Sequence, residues 1–144
     1  MAGSKSDWLE NAVLDTILGK ATTELSTTLN STVWFSLWNS TITDAWTPLA
    51  TGECAGSTYA RINMTNSSAT WANSTAGSKQ LIAEVGFTTA AGADWGTIKS
   101  FAITTLDSTV AGNILYWGDL TSQQVISSGN VVKFSTGSVV ITEA

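Results

Sequence analysis

Residues that could carry out chemistry are few in this chain, and those present are scattered. The 144 residues include 11 Asp and Glu, one Cys and no His. Without His there is no His general base or metal ligand, and one Cys forms neither an intrachain disulfide nor a thiolate zinc cluster. A glycosidase needs two carboxylates facing each other across a cleft, and no local spacing points to such a pair. We therefore expect no enzyme activity, no cofactor and no metal; a glycosidase-like jelly roll is the alternative left open.

Two further side chains have a clear chemical character. Cys54 follows Glu53 and has no basic neighbour in the sequence, so nothing nearby favours a reactive thiolate. Arg61 is the single Arg of the chain, and a guanidinium can bind a carboxylate in a bidentate manner. We expect Arg61 to form a structural salt bridge, either inside the domain or across a subunit contact.

The surface is expected to be polar but weakly charged. Charged residues make up 12% of the chain, the formal net charge is −5, and 23 Thr and 18 Ser supply hydroxyl groups. Six Lys and Arg are too few for a nucleic-acid-binding face, and no apolar run approaches the ~20 residues of a membrane span. The N-terminus shows no secretion-signal pattern. Because monomeric proteins usually rely on charge for solubility, we expect partners to cover much of this surface.

One amphipathic helix is predicted at residues 6–19. Ser6 or Asp7 can cap its N-terminus, Glu10 completes a capping box with Asp7, and Gly19 can end it. Apolar residues recur at helical spacing between these ends. A helix of about 12 residues is marginal alone in water, so it must dock on its own domain or on a neighbour.

Period-two alternation follows the helix and predicts about eight short strands. They are expected at residues 32–39, 59–65, 81–88, 95–105, 113–120, 123–126, 131–134 and 137–142. The alternation slips in phase between Ile98 and Phe101, which indicates a β-bulge. The spacing predicts an all-β fold, an antiparallel β-sandwich or jelly roll. We expect one domain over residues 1–144, with the helix at 6–19 and the β-sandwich at 31–142.

The seven Trp residues are expected to anchor the core and an interface. Trp34 and Trp38 lie on one face of the strand at 32–39, opposite Val33, Phe35 and Leu37. If the latter face is core, the helix, a loop or another subunit must cover the Trp face. Stacking of sugar rings on exposed Trp side chains is the alternative.

The order of several short motifs resembles a family of small virion proteins from tailed bacteriophages, whose members are often labelled tail fibre proteins. The matching motifs are S-D-W-L-E at 6–10, L-D-x-x-L-G at 14–19, V-W-F-S-L at 33–37, T-D at 43–44, Y-A-R at 59–61, D-W-G-T-I at 94–98 and I-L-Y-W-G-x-L at 114–120. The ending is matched by Phe134, Gly137 and the strand at 139–142. The resemblance thus runs from about Ser6 to Thr142.

The resemblance implies a non-enzymatic structural protein of the virion, made in the bacterial host cytoplasm. Relatives of this kind look like jelly-roll capsid cement or decoration proteins, which sit on the capsid exterior and clamp neighbouring major capsid protein subunits. The alternative is a tail fibre or receptor-binding protein that contacts host surface glycans. The implied partners are the major capsid protein and further copies of the chain, as a dimer or trimer, with no direct contact to nucleic acid or membrane. The candidate interface residues are Trp8, Leu9, Leu14, Trp34, Trp38, Trp46 and Arg61.

Overall fold

The described part of the chain is almost entirely β-structure. A computed structural model describes residues 2–6, 9, 32–44, 52–73, 75, 76, 78–107 and 113–142. Within these residues the strands are β1 (Ala2–Lys5), β2 (Thr32–Trp38), β3 (Ile62–Thr65), β4 (Ser78–Gln80), β5 (Val85–Gly86), β6 (Gly96–Thr104), β7 (Ile114–Ile126), β8 (Lys133–Phe134) and β9 (Val140–Thr142). The prediction of an all-β fold is confirmed.

The strands form one long sheet and one short one. The long sheet has the order β3-β2-β6-β7-β1-β9-β4, and β5 pairs with β8 in the short sheet. Neighbouring strands run antiparallel except β1 and β9, which pair in parallel. The antiparallel character is therefore confirmed, whereas this strand order does not confirm the jelly-roll arrangement.

The predicted N-terminal helix falls almost wholly outside the described residues and is not confirmed. Of residues 6–19, the structure describes Ser6 and Leu9. The backbone N–H of Leu9 donates a hydrogen bond of 3.3 Å to Ser6 Oγ, which is the contact expected of a Ser at an N-cap. Leu9 is buried in the main core.

Strands whose sequences alternate strongly between apolar and polar residues lie where they were predicted. Strands whose sequences have low β-propensity were not predicted. The prediction of separate strands at 113–120 and 123–126 is wrong, because β7 continues through both. Ala2–Lys5 and Ser78–Gln80 were not predicted as strands. Neither contains a β-branched residue, and both are held by backbone pairing to distant strands, which local propensity does not report.

The main core lies on one face of the long sheet and is centred on Phe35 of β2. The Phe35 ring is fully buried and lies 5.8 Å from the Phe101 ring, 5.7 Å from the Phe134 ring and 6.4 Å from the Trp71 ring. Phe101 belongs to β6, next to β2, whereas Phe134 belongs to the short β5–β8 sheet. The short sheet therefore packs across the core from β2 and β6.

The opposite face of the long sheet carries a second, smaller core. Trp38, Ile42, Ala102 and Ile114 are buried together there, and Trp117 packs against them. The indole Nε1 of Trp38 donates a hydrogen bond of 2.9 Å to Ser36 Oγ on the same face. The expectation that the Trp face of β2 is covered is confirmed for Trp38, and one of the residues covering it is Ile42 from the segment after β2.

A large bulge interrupts the pairing of β6 with β7, as the phase slip between Ile98 and Phe101 predicted. Ile98 pairs with Gln124 and Ser100 pairs with Asp119. Lys99 of β6 therefore lies opposite residues 120–123 of β7. Bulges re-aim side chains and bend the strand that contains them. This bulge lies beside the groove described below.

Replacing Phe35 by Ala should destabilise the protein strongly. The substitution removes a fully buried ring that joins the two sheets and leaves a cavity. We expect a loss of ~3–5 kcal/mol in the free energy of unfolding, measured by urea denaturation. Val131→Ala is the control, because Val131 is exposed and should cost less than ~0.5 kcal/mol. Equal midpoints for the two variants would contradict this account of the core.

Candidate functional site

Of the predicted interface residues, the structure describes Leu9, Trp34, Trp38 and Arg61, and these four do not form one exposed patch. Leu9 and Trp38 are buried, with Trp38 fully inaccessible to solvent, and Trp34 is half-buried. Trp38 is thus unable to stack on a ligand from solvent in this conformation. The remaining Trp and Leu candidates, Trp8, Leu14 and Trp46, lie outside the described residues.

Arg61 forms a buried bidentate ion pair with Glu53. Arg61 Nε lies 2.8 Å from Glu53 Oε1, and Nη2 lies 2.7 Å from Oε2. The two side chains are 1% and 6% exposed, so both charges are removed from water. A buried charge is tolerated only when it is paired and its remaining polar atoms are hydrogen-bonded. The expectation of a structural salt bridge is confirmed, and its partner lies inside the domain.

Further hydrogen bonds surround this ion pair. Arg61 Nη1 donates to the Leu106 carbonyl at 2.8 Å and to Thr104 Oγ1 at 3.2 Å, at the end of β6. The Tyr59 hydroxyl donates to Glu53 Oε1 at 2.9 Å and accepts the backbone N–H of Leu37 at 2.9 Å. The ion pair therefore joins the segment at residues 53–61 to β2 and β6.

Burial and the charge of Glu53 alter the acid–base behaviour of two neighbours. Desolvation, and then the nearby carboxylate, raise the pKa of the Tyr59 phenol well above its usual range, so it remains a hydrogen-bond donor. The same two causes, in the same order, raise the pKa of the Cys54 thiol to about 11. Cys54 is also 1% exposed. Its surroundings disfavour the thiolate and leave no access for a reagent from solvent, so Cys54 is a buried structural side chain.

An open polar groove of about 580 Å³ lies beside the bulge and is a candidate binding site. We call it the Asn39 groove. It is lined by Asn39, Asp94, Trp95, Gly96, Thr97, Lys99 and Gln123. The bulge contributes Lys99 on β6 and Gln123 on β7. The groove thus combines residues from three segments that are distant in sequence.

Backbone contacts fix one side of the Asn39 groove. Asn39 Nδ2 donates to the carbonyls of Trp95 at 2.9 Å and Thr97 at 3.0 Å. Gly96, between these two residues, has φ +79°, a conformation that favours Gly, and a Cβ there would lie 3.4 Å from Asn39 Nδ2. Asp94 Oδ1 accepts the backbone N–H of Ser128 at 2.7 Å. These contacts hold the Asn39 amide and the Asp94 carboxylate in place.

Three lining side chains retain their hydrogen-bonding capacity. Among the described residues, Lys99, Thr97 and Gln123 have no side-chain partner. Both amide hydrogens of Asn39 are used by the two carbonyls, which leaves its Oδ1 as an acceptor. The Trp95 ring is not available, since Trp95 is 3% exposed and packs so closely on Gly56 that a Cβ there would collide with it.

Sequence reasoning did not identify this groove. Its polar residues are ordinary surface types, and no motif links Asn39, Lys99 and Gln123. The phase slip near Ile98 was the one signal in the sequence, because it marked the bulge beside which the groove lies.

Within the described residues, no group of three or more Cys, Asp and Glu side chains is placed to hold a metal ion. Across the same ranges, no helix is long and apolar enough to span a membrane.

Breaking the buried ion pair should cost far more stability than breaking an exposed one. Arg61→Ala leaves the Glu53 carboxyl group buried without its partner, so we expect a loss of ~3–5 kcal/mol in the free energy of unfolding. The matched control is Lys133→Ala, which removes a pair of similar length, 2.8 Å to Glu84, whose side chains are more than half exposed. That substitution should cost at most ~1 kcal/mol. Urea denaturation at pH 7 measures both, and similar losses would contradict the structural role of Arg61.

The thiol of Cys54 should react only after unfolding. A rise of the pKa from 9.0 to about 11 lowers the thiolate fraction about a hundredfold at pH 8, and burial blocks access in addition. Iodoacetamide at pH 8 should leave the native protein unmodified over an hour and alkylate it fully in urea, as measured by intact mass. Because Cys54 is the single Cys, the unfolded chain is its own control. Rapid alkylation of the native protein would contradict the described burial.

Comparison with known proteins identifies the class of this chain. No curated protein matches it with significant similarity. A family described as "Podophage GP4 fiber I protein gp80" matches residues 4–142, which is nearly the whole chain and includes every strand except part of β1. A phage fibre family implies a component of the virion that is made in the host. The chain therefore belongs to the podophage GP4 fiber I protein gp80 family of bacteriophage virion proteins.

Proposed function

We propose that this chain is a non-enzymatic structural subunit of the fibres of a phage particle, through which the particle contacts surface glycans of the host. The observation that carries the proposal is the match of a fibre family over residues 4–142. The open polar groove supports it, because a site that recognises a large surface ligand must be accessible from outside. The groove lies beside the bulge in the hydrogen-bonded pair of strands β6 and β7.

The lining of the Asn39 groove supports a binding role without catalysis. Paired-acid glycoside hydrolysis needs two carboxyl groups on either side of the bond that is cleaved. Among the residues that line the groove, Asp94 is the single carboxylate. Glu53 is paired with Arg61, and Asp119 accepts a hydrogen bond of 2.7 Å from Ser100 Oγ.

Attachment to the capsid exterior as a cement protein is the rival assignment. In that role the chain would clamp neighbouring major capsid protein subunits. Both assignments make the chain a component of the virion. The fibre assignment is favoured because the matching family is described as a fibre protein. Self-association into a dimer or trimer is part of the proposal, since the surface of a chain with 12% charged residues suits burial against copies of itself.

The position of the chain in the assembled particle tests the fibre assignment. A particle image at subunit resolution should place a few copies of the chain in the fibres at the tail. Many copies spread over the outer face of the head, in contact with the major capsid protein, would overturn the proposal in favour of the cement assignment.

Contact with the host can be tested with purified protein. The chain, added in excess, should compete with phage particles and reduce their adsorption to host cells several-fold, because it occupies the same surface ligand. Bovine serum albumin at the same concentration is the control. Unchanged adsorption, or release of sugar from host surface polysaccharide by the chain, would contradict a non-enzymatic host-binding role.

A further inference from the structure

We propose that the Asn39 groove binds a neutral, hydroxyl-rich ligand, a saccharide of the host surface, through Asn39, Thr97, Lys99 and Gln123. This inference rests on the proposed function and assigns the site and the chemical class of its ligand. It differs from an assignment to the Trp residues, of which Trp38 is fully buried and Trp95 nearly so.

The groove offers hydrogen-bond donors and acceptors side by side. Lys99 supplies donors, Asn39 Oδ1 supplies an acceptor, and Gln123 and Thr97 supply both. Each hydroxyl group of a saccharide both donates and accepts. A ring with several hydroxyl groups can therefore satisfy this mixed lining, whereas a ligand that only donates or only accepts leaves part of it unpaired.

The charges of the groove give an ionic ligand no net advantage. Its two charged side chains, Lys99 and Asp94, have opposite signs. The attraction that an anion gains from the Lys99 ammonium is offset by repulsion from the Asp94 carboxylate, and the reverse holds for a cation. An ion must also lose part of its hydration on binding, a cost that a neutral ligand does not bear.

Part of the site is already ordered before a ligand binds. The Asn39 amide is held by the carbonyls of Trp95 and Thr97, and the Asp94 carboxylate is held by the backbone of Ser128. Binding must then immobilise mainly Lys99 and Gln123, which lowers its entropic cost. Because no described lining residue presents an exposed aromatic ring, hydrogen bonds supply most of the affinity, and we expect dissociation constants on the order of millimolar at a single site.

Saturation-transfer NMR with free neutral sugars tests the site directly. The probes are glucose, galactose, N-acetylglucosamine and neutral oligosaccharides built from them, and glucuronate serves as the charged probe. At least one neutral probe should give saturation transfer, and no charged probe should exceed it. Gln123→Ala and Lys99→Gln should each weaken binding of that probe about tenfold, which is the loss expected for one or two hydrogen bonds.

Gln124→Ala is the matched control for Gln123→Ala. Both Gln residues are exposed neighbours on β7, but Gln124 does not line the groove. Wild-type binding in the Gln124 variant, together with loss in the Gln123 variant, supports the proposal. No saturation transfer from any neutral probe, stronger binding of a charged probe, or equal losses in the two Gln variants would overturn it.

An adsorption experiment with whole phage particles distinguishes a failure of this proposal from a failure of the fibre function. Phage carrying Gln123→Ala should keep a normal number of copies in the particle and adsorb to host cells about tenfold more slowly, whereas Gln124→Ala phage should adsorb normally. Normal adsorption of both variants from correctly assembled fibres would overturn the groove assignment and leave the fibre function standing. A chain found on the head instead would overturn the fibre function itself.

Discussion

The buried ion pair between Arg61 and Glu53 is the constraint on which the arrangement of the other segments depends. The folded protein tolerates two opposite charges removed from water only if nearly every polar atom of the pair has a hydrogen-bond partner. Here those partners come from Tyr59, from the end of β6 and, through the Tyr59 hydroxyl, from the backbone of β2. Three stretches of chain are thereby required to meet at one point, and the apolar side chains around them pack to that geometry.

The same constraint extends to the Asn39 groove. Glu53 forms a backbone bridge with Trp38, and the flanking hydrogen bonds run from Asn39 N to the Gly52 carbonyl at 2.8 Å and from Cys54 N to the Leu37 carbonyl at 2.9 Å. Asn39 therefore leaves β2 in a direction set by the segment that carries Glu53. Its side chain then holds the carbonyls on either side of Gly96. A stability element and a candidate binding site are connected through a few backbone hydrogen bonds.

The sequence predicted the parts of this molecule whose signals are local. The alternation of β2 placed Phe35 and Trp38 on opposite faces, and the character of Arg61 predicted a salt bridge. The sequence did not show which of the 11 acidic residues pairs with Arg61, because the pairing with Glu53 depends on a reversal of the chain. It did not predict β1 either, because β1 forms through backbone pairing that its own residues do not favour. The groove depends on the strand register in which the four residues 120–123 of β7 lie opposite the single residue Lys99 of β6. The alternation of apolar and polar residues within one strand does not reveal its register with another strand. Motif order likewise indicated the class of virion protein but not its place in the particle, since fold and family do not specify a site.

The scarcity of charge on this chain is consistent with recognition of a neutral partner. Attraction between exposed charges weakens as salt rises, whereas hydrogen bonds between neutral groups do so much less. A chain with 12% charged residues, and with a groove whose two charges have opposite signs, would bind with little dependence on ionic strength. The affinity of each site is then weak, because neither long-range attraction nor an exposed aromatic ring of the described lining contributes. Such a site becomes effective when several copies act together, since linked weak contacts multiply in strength. The chemistry of the groove and the expected self-association of the chain therefore support one another.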